Sequence, residues 1–279
     1  MIQDISPHCF DNAYRPIPPD SESVALYYEN NLSLVKNSSQ GIAFPKFKDL
    51  QRLNEDIYED YIYLFAIDDT RYYLVREVNL ERISAFQMEN TEIFRLALPM
   101  YTAFAGITGY QLYNWYKKRR YCGCCGEPLQ QDEKERMLFC KGCGQVEYPR
   151  INPAVIIGVC NENRILLSKY ANRPLSRYAL LAGFVEIGEP LEDAVKREVL
   201  EEVGLHVTNV RYYKSQPWSY SDTLLMGFYC DVVDKEEEIC LDEKELAFAG
   251  WFEREEIPVK PRKDSLTNEM IIAFKEARV

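Results

Sequence analysis

Three glutamates crowd into five residues of the stretch REVLEEVGL, and this crowding constrains the fold more than any other feature of the chain. Glu198, Glu201 and Glu202 have the spacing that places side chains on one side of an α-helix. Like charges at this spacing repel one another, so the cluster costs free energy unless a cation neutralises it. The stretch therefore predicts a helix that presents carboxylates to a cation.

The residues around the glutamates predict where this helix begins and ends. Pro190 suits a first helical turn, and the acidic residues Glu192 and Asp193 suit the positive N-terminal end of a helix. Gly204 suits the C-terminal cap. Apolar residues recur at steps of three and four and predict a face turned to the core: Leu191, Ala194, Val195, Val199 and Val203.

Two interpretations of the acidic face stay open at this level. One is an ordinary amphipathic helix whose acidic side is solvated. The other is a cation site, because carboxylate oxygens at this density suit Mg²⁺ or Mn²⁺. A metal held from one protein face keeps coordination positions for water and for phosphate oxygens, as phosphoryl chemistry requires.

Four of the nine cysteines form two CxxC pairs, in YCGCCGEPL and CKGCG. This double pair predicts a zinc ribbon in which four thiolates close a tetrahedral shell, so the metal is structural. The predicted ligands are Cys122, Cys125, Cys140 and Cys143. Cys124 is a spare thiol and an alternative ligand. The other interpretations are unmetallated cysteines and a disulfide, which a reducing compartment disfavours.

Length and charge narrow the class of protein. A chain of 279 residues predicts about two domains. The formal net charge of −11 argues against broad adhesion to nucleic acids. Residues 96–116 carry no charge, but Pro99, Gly106 and Gly109 favour a buried helix over a membrane span. The first ten residues lack the pattern of a secretory signal, so we expect a cytoplasmic protein with no membrane partner.

Hydrophobic patterns predict an N-terminal α+β domain and a second mixed domain. Strands are predicted at 61–67 and 71–78 and a helix at about 100–118. Beyond the cysteines, strands are predicted at 154–159, 164–170, 223–233 and 247–252, with a closing helix near 265–277.

The segment from Gly183 to Leu205 resembles the Nudix box at every fixed position: Gly183, then Glu189 after five intervening residues, then the run REVLEEVGL after seven more. The resemblance implies a loop–helix–loop on an α/β/α sandwich that hydrolyses a nucleoside diphosphate linked to another moiety. It also implies that Glu198, Glu201 and Glu202 hold divalent cations, with Glu189 sometimes contributing. Arg197 would orient a glutamate.

The order of domains, the YPR motif at 148–150 and SQPW at 215–218 together resemble the NADH pyrophosphatase family over residues 115–279. That resemblance implies cleavage of NAD(H) to nicotinamide mononucleotide and AMP by a homodimer. It divides the chain into an N-terminal domain (1–115), a zinc ribbon (116–148) and a Nudix domain (149–279). The same resemblance implies that the nicotinamide stacks between Phe184 and Tyr148, with Tyr148 coming from the second subunit. It also implies that the substrate contacts Gln216, Trp218 and Thr267, and that Glu245 lies near the metals.

The chain departs from that family after SQPW, where Ser219-Tyr220-Ser221 replaces Pro-Phe-Pro. Loss of both prolines predicts a more flexible loop and a less secure selectivity for NADH. Rival substrates are therefore ADP-ribose, another dinucleotide, and the NAD cap of RNA, whose backbone the basic run 117–120 would hold. A non-catalytic nucleotide sensor is a further alternative, and the intact glutamates argue against it.

Overall fold

The computed structural model describes residues 1–52, 55–171, 177–262 and 265–279, and its contacts divide the chain into two compact units. The N-terminal unit comprises residues 2–150 together with 219–221, and the C-terminal unit comprises 151–218 and 222–279 together with Met1. The cysteine-rich segment belongs to the N-terminal unit. This division lies next to the predicted start of the Nudix domain at residue 149.

The N-terminal unit combines short strands with one long helix. Its elements are β1 (Phe10–Asp11), β2 (Val24–Leu26), β3 (Tyr28–Glu29), β4 (Leu32–Ser38), β5 (Gly41–Ala43), α1 (Phe47–Leu50), β6 (Tyr61–Ile67), β7 (Thr70–Val75), β8 (Gln87–Asn90), α2 (Met100–Lys118), β9 (Leu129–Gln131), β10 (Leu138–Cys140) and β11 (Val146–Glu147). The sheets have the orders β1-β6-β7-β2, β3-β4-β5 with β8 on β4, and β11-β10-β9. The predicted α+β class of this part is confirmed.

The helix α2 explains the uncharged stretch near residue 100. Its buried face packs on the N-terminal core, and its glycines sit where other chain segments approach closely. A Cβ atom on Gly106 would lie 2.5 Å from the ring of Phe94, and one on Gly109 would lie 2.4 Å from Leu26. No helix in the described part of the chain is both long enough and apolar enough to cross a membrane.

The C-terminal unit is a mixed six-stranded sheet with two helices. Its elements are β12 (Asn152–Asn161), β13 (Arg164–Tyr170), β14 (Leu181–Phe184), α3 (Leu191–Val203), β15 (Val207–Trp218), β16 (Thr223–Val232), β17 (Leu246–Glu253) and α4 (Leu266–Lys275). The strand order is β15-β16-β12-β13-β17, and β14 also pairs with β12. β12 and β16 are parallel, whereas the other pairs are antiparallel.

Alternate residues of the central strand enter two different cores, which places a helix on each face of the sheet. Val155, Ile157 and Val159 pack with the apolar side of α3, whereas Ile156 and Cys160 pack with α4. Successive side chains of a strand point to opposite faces, so the two helices lie on opposite sides. The predicted α/β/α sandwich is confirmed.

The predicted element boundaries are close to the observed ones, with one clear exception. The strand expected at 71–78 ends at Val75, because Arg76 and Glu77 are exposed and leave the sheet. The helix predicted at about 100–118 is Met100–Lys118.

Candidate functional site

The glutamate helix α3 is held in place from both ends and along its apolar face. Pro190 occupies the N-cap position, one residue before the predicted one, and Gly204 closes the helix with a left-handed φ of 72°. The Gly204 N–H donates to the carbonyl of Leu200 at 3.0 Å. The predicted apolar residues Ala194, Val195, Val199 and Val203 are buried. The glutamates on the remaining side therefore have a rigid support.

Arg197 makes the crowding of carboxylates tolerable. Its Nε and Nη2 donate to both oxygens of Glu189, at 2.8 and 2.9 Å. Its Nη1 donates to Glu198 Oε1 at 2.8 Å and to Glu201 Oε2 at 2.9 Å. One guanidinium thus bridges three carboxylates, with the planar fork that such pairing requires. This pairing lowers the pKa of Glu189 to about 2.

The three clustered glutamates of α3 differ in burial, although their spacing predicts one side of the helix. Glu198 and Glu202 are buried, whereas the side chain of Glu201 is 60% exposed. Burial raises the pKa of Glu198 against the opposing effect of Arg197. Burial, then repulsion from Glu198 and Glu245, raises the pKa of Glu202 to about 8. Glu202 Oε2 is buried and has no hydrogen-bond partner among the described residues. A buried oxygen without a partner is costly, and a cation would satisfy it.

Gly183 is required by the position of the Glu198 carboxyl group. A Cβ atom at Gly183 would lie 1.8 Å from the carboxyl carbon of Glu198 and about 2 Å from both oxygens. Strand β14 pairs Gly183 with Val155 of β12, so the glycine backbone is fixed by the sheet. The missing side chain therefore leaves the space in which this carboxylate lies.

Glu245 reaches the same neighbourhood through backbone contacts that sequence patterns did not reveal. The Cys240 N–H donates to the Val203 carbonyl at 2.9 Å, and the Asp242 N–H donates to the Glu202 carbonyl at 3.0 Å. These bonds hold the loop before β17 against the end of α3. Glu245 is exposed, and its charge raises the pKa of both Glu198 and Glu202. The acidic run around it gave no local signal of this placement.

The donors around α3 fit a divalent cation by their chemistry. They are hard carboxylate oxygens, the ligands that Mg²⁺ and Mn²⁺ prefer. Glu202 supplies a buried oxygen without a hydrogen-bond partner in the described part of the chain, and its pKa is raised first by burial and then by the negative charges of Glu198 and Glu245. A bound cation reverses this effect by stabilising the ionised carboxylates.

The two CxxC segments form matching turns. In the first, Gly126 N–H donates to the Cys122 carbonyl at 2.9 Å, and in the second, Gly144 N–H donates to the Cys140 carbonyl at the same distance. Both glycines have positive φ, 80° and 76°, which favours glycine. Of the four glycines near the cysteines, these two are the ones that the turns require.

The four predicted cysteines converge into one group. Their Sγ atoms all lie within 4.8 Å of one another, with 3.5 Å between Cys122 and Cys143 and 3.4 Å between Cys125 and Cys140. Sulfurs on a tetrahedral zinc are about 3.8 Å apart, so the group fits such a metal. Backbone N–H groups of Cys125 and Cys124 lower the pKa of Cys122 to about 7. Cys124 is outside the group and exposed.

The two aromatic residues predicted to stack on substrate are exposed rather than core residues. Phe184 is 55% exposed and Tyr148 is 54% exposed. The Phe184 carbonyl accepts a hydrogen bond from Arg197 Nη2 at 2.9 Å, which ties the end of β14 to the carboxylate cluster. The Tyr148 hydroxyl donates to Glu135 Oε2 at 2.7 Å. Phe184 belongs to the C-terminal unit and Tyr148 to the N-terminal unit.

The remaining predicted substrate residues lie near the start of α4 and the end of β15. Gln216 is fully buried, and its Oε1 accepts from the Leu266 N–H at 2.7 Å, so its side chain supports the first turn of α4. Thr267 is half-buried in that turn and lines a cavity of about 300 Å³ that also includes Arg177 and Lys260. Trp218 is half-buried and ends β15 opposite Thr223.

Residues 219–221 contain a contact that sequence reasoning missed. Ser219 is buried, Tyr220 packs on the N-terminal core, and the Arg95 guanidinium lies 4.0 Å from the centre of the Tyr220 ring. A cation over an aromatic face is favourable. The sequence did show that Tyr220 keeps an aromatic ring where the family has phenylalanine. It could not show the contact with Arg95, because Arg95 is distant in sequence.

Comparison with known proteins identifies the C-terminal unit. Residues 150–273 match the NUDIX domain. The NAD-capped RNA hydrolase NudC of Klebsiella pneumoniae subsp. pneumoniae is 37% identical over 163 residues, which cover 58% of this chain and 63% of that protein. The protein of the same name from Yersinia pestis is 39% identical over 163 residues, covering 58% and 62%.

The chain thus spans about three-fifths of the length of these relatives. A crystal structure of a NUDIX hydrolase from Nitrosomonas europaea aligns with 57% of this chain and 92% of that chain, with a TM-score of 0.49 and 24% identity. The resemblance inferred from residues 183–205 is confirmed by the domain match.

Proposed function

We propose that this chain, whose residues 150–273 are a NUDIX domain, hydrolyses the pyrophosphate bond of NAD(H) with the help of divalent cations. The products would be nicotinamide mononucleotide and AMP. The observation that carries the proposal is the carboxylate cluster that Arg197 organises, together with the buried oxygen of Glu202, for which residues 1–52, 55–171, 177–262 and 265–279 supply no hydrogen-bond partner.

The proposed cation ligands are Glu198, Glu201 and Glu202, with Glu245 beside them. Bound Mg²⁺ or Mn²⁺ would polarise the phosphorus, neutralise developing charge and lower the pKa of an attacking water. Arg197 acts as a positioning residue, since its guanidinium holds Glu198 and Glu201 at 2.8 and 2.9 Å. Which carboxylate accepts the proton of the water varies among Nudix enzymes.

The substrate residues are proposed on the family resemblance together with their exposure. The Phe184 side chain is exposed, its backbone carbonyl accepts a hydrogen bond from Arg197 of the carboxylate cluster, and a base stacks favourably on an exposed ring. Tyr148 of a second subunit would cover the other side of the nicotinamide, which makes a homodimer part of the proposal. Trp218, Gln216 and Thr267 would line the rest of the site.

Three further features complete the proposal. The chain would consist of an N-terminal domain (1–115), a zinc ribbon (116–148) and a Nudix domain (149–279). Zinc would be held by Cys122, Cys125, Cys140 and Cys143, whose sulfur geometry supports it. We place the protein in the cytoplasm, where the reduced thiols are expected to persist.

Replacing Cys140 with serine is expected to remove the zinc and to destabilise the ribbon. Cys140 is buried, and loss of one thiolate opens a shell whose metal supplies folding free energy. Zinc content should fall from about one ion per chain to well below half, as atomic absorption would measure. Cys124→Ser removes a thiol that lies in the first CxxC turn but outside the group, and this variant should keep its zinc. Equal loss in both variants would contradict the assignment.

The second candidate is removal of the NAD cap from RNA 5′ ends. The names of the relatives favour it, since both are NAD-capped RNA hydrolases. Hydrolysis of ADP-ribose or of another dinucleotide is a further candidate, and a non-catalytic sensor is disfavoured by the complete set of glutamates.

The test is to incubate the purified protein with Mg²⁺ or Mn²⁺ and a panel of substrates, and to identify the products by mass. The panel contains NADH, NAD⁺, ADP-ribose, a dinucleoside diphosphate and an RNA with an NAD cap. We expect nicotinamide mononucleotide and AMP from NADH. No cleavage of any member would overturn the proposal, and cleavage of the capped RNA alone would select the second candidate.

A further inference from the structure

The N-terminal unit contains a cavity of about 850 Å³ that plays no part in the proposed hydrolysis. It is bordered by the C-terminal end of α2, by β3, by the end of β7 and by the ribbon strand β9. Its volume is in the range of sites that bind small molecules and cofactors. It lies entirely within residues 27–138.

The charge of this cavity is opposite to that of the protein. Its lining includes four cations, Arg76, Lys117, Arg119 and Arg120, against one acid, Glu29, whereas the whole chain has a net charge of −11. Such a local reversal concentrates anions. The cavity is therefore suited to an anionic ligand.

Three of these cations already have protein partners, and Arg120 is open to a ligand. The Lys117 ammonium donates to Asn30 Oδ1 at 3.0 Å. Arg119 lies 3.5 Å from Glu147 and Arg76 lies 3.4 Å from Asp60. Arg120 is exposed, and its side chain has no ion-pair partner among residues 1–52, 55–171, 177–262 and 265–279. The helix end alone would explain a few basic residues, but it would not explain the rings that accompany them.

Tyrosine rings form the walls beside the cations. Tyr27, Tyr113 and Tyr116 line the cavity and are half-buried. The Lys117 ammonium lies 5.4 Å from the centre of the Tyr113 ring, so a ring and a cation face the same space. Nucleobases stack on such rings while phosphates pair with Arg and Lys.

Two neutral amides also line the cavity. Gln130 and Gln131 of β9 both border the cavity, and amide groups both donate and accept hydrogen bonds, as base edges and ribose hydroxyls do. An acidic peptide would pair with the cations, but its carboxylates would have no planar group to stack on the rings. The combination therefore favours a nucleotide.

We propose that this cavity, lined by Tyr27, Tyr113, Lys117 and Arg120, binds a nucleoside phosphate, with the base against tyrosine and the phosphate at Arg120. The ligand is either a free mononucleotide or one nucleotide of a single-stranded RNA. This proposal concerns binding and stands apart from hydrolysis in the NUDIX domain.

The test measures binding of a fluorescent, uncapped octaadenylate to the full zinc-loaded chain without added Mg²⁺ or Mn²⁺, with unlabelled AMP as competitor. Arg120→Glu is expected to weaken binding about tenfold or more, because it replaces a phosphate partner by a like charge. Lys118→Glu makes the same charge change two residues earlier, outside the cavity lining, and should weaken binding less than about twofold. Tyr27→Leu should weaken it about fivefold, whereas Tyr27→Phe, which keeps the ring, should not.

Unchanged zinc content and melting temperature establish that the variants are folded. Tighter binding of the octaadenylate than of AMP would assign the ligand to RNA, and the reverse would assign it to a free nucleotide. AMP bound in the NUDIX domain would not respond to Arg120→Glu. The proposal is overturned by equal effects of the Arg120 and Lys118 variants, by displacement with an oligoglutamate peptide but not AMP, or by binding of neither nucleotide probe at about 1 mM.

Discussion

Replacing Glu202 with glutamine is expected to reduce hydrolysis about a thousandfold while the fold remains intact. Glutamine has nearly the same shape, so the buried position stays filled. It removes the negative charge that a cation requires, and a metal ion supplies several kcal/mol of transition-state stabilisation. The measurement is the rate of NADH cleavage at saturating Mg²⁺ or Mn²⁺.

The same variant is expected to gain stability at alkaline pH when no divalent cation is added. The pKa of Glu202 is raised from 4.5 to about 8 by burial, then by repulsion from Glu198 and Glu245. Between these values the folded chain retains a proton that the unfolded chain releases, so its stability falls as pH rises through that window. The glutamine side chain does not ionise in this pH range, so the variant lacks this loss of stability. Its variant should melt several degrees higher than the parent at about pH 8 and at a similar temperature near pH 5.

The control is Glu192→Gln, which removes one charge from an exposed position in the first turn of the same helix. It should change neither the hydrolysis rate nor the pH dependence of melting appreciably. Normal turnover by the Glu202 variant would refute the proposed active site. If the melting temperature of the Glu202 variant depends on pH as that of the parent does, the alkaline loss of stability belongs to another group.

Replacing Gly183 with alanine should reduce hydrolysis about a hundredfold or more with little loss of stability. The added Cβ atom would meet the Glu198 carboxyl carbon at 1.8 Å, so the carboxylate has to move. Because the displaced atoms are the end of a flexible side chain, the movement costs little folding free energy. It does remove a proposed cation ligand from its position.

The separation of activity from stability is the measurable outcome. The cleavage rate and the Mn²⁺ concentration at half-maximal activity should both change, while the melting temperature shifts by about 3 °C or less. Gly123→Ala is a matched substitution, since a Cβ atom there meets none of the described residues within 4 Å, and it should retain full activity. Wild-type kinetics in the Gly183 variant would show that Glu198 does not depend on this space.

The helix α3 and the cysteine group were predictable because their signals are local. The bounds of α3 follow from its caps and its apolar spacing, and the observed helix Leu191–Val203 differs little from the expectation. The four cysteines lie in two turns whose glycines at positions 126 and 144 have a left-handed backbone. Each helix end and each CxxC turn depends on residues within a few positions of one another.

Other features of the site were not predictable from spacing. Glu201 and Glu202 are neighbours in sequence, yet one is exposed and the other buried, because the loop at Asp242 and strand β14 cover only one side of the helix. The bidentate pairing of Arg197 with Glu189 spans eight residues and depends on the path of the loop before α3. The contact of Tyr220 with Arg95 joins residues that no local pattern connects.

By itself, the sequence determined the NUDIX domain, the glutamate helix and the four-cysteine group, because periodicity, caps and ligand spacing are properties of short segments. Only the tertiary structure decided which carboxylates are buried, how Arg197 distributes its hydrogen bonds and where tyrosines meet cations in the N-terminal unit. These outcomes depend on burial and distance between segments far apart in the chain, and burial is what changes the pKa of Glu202.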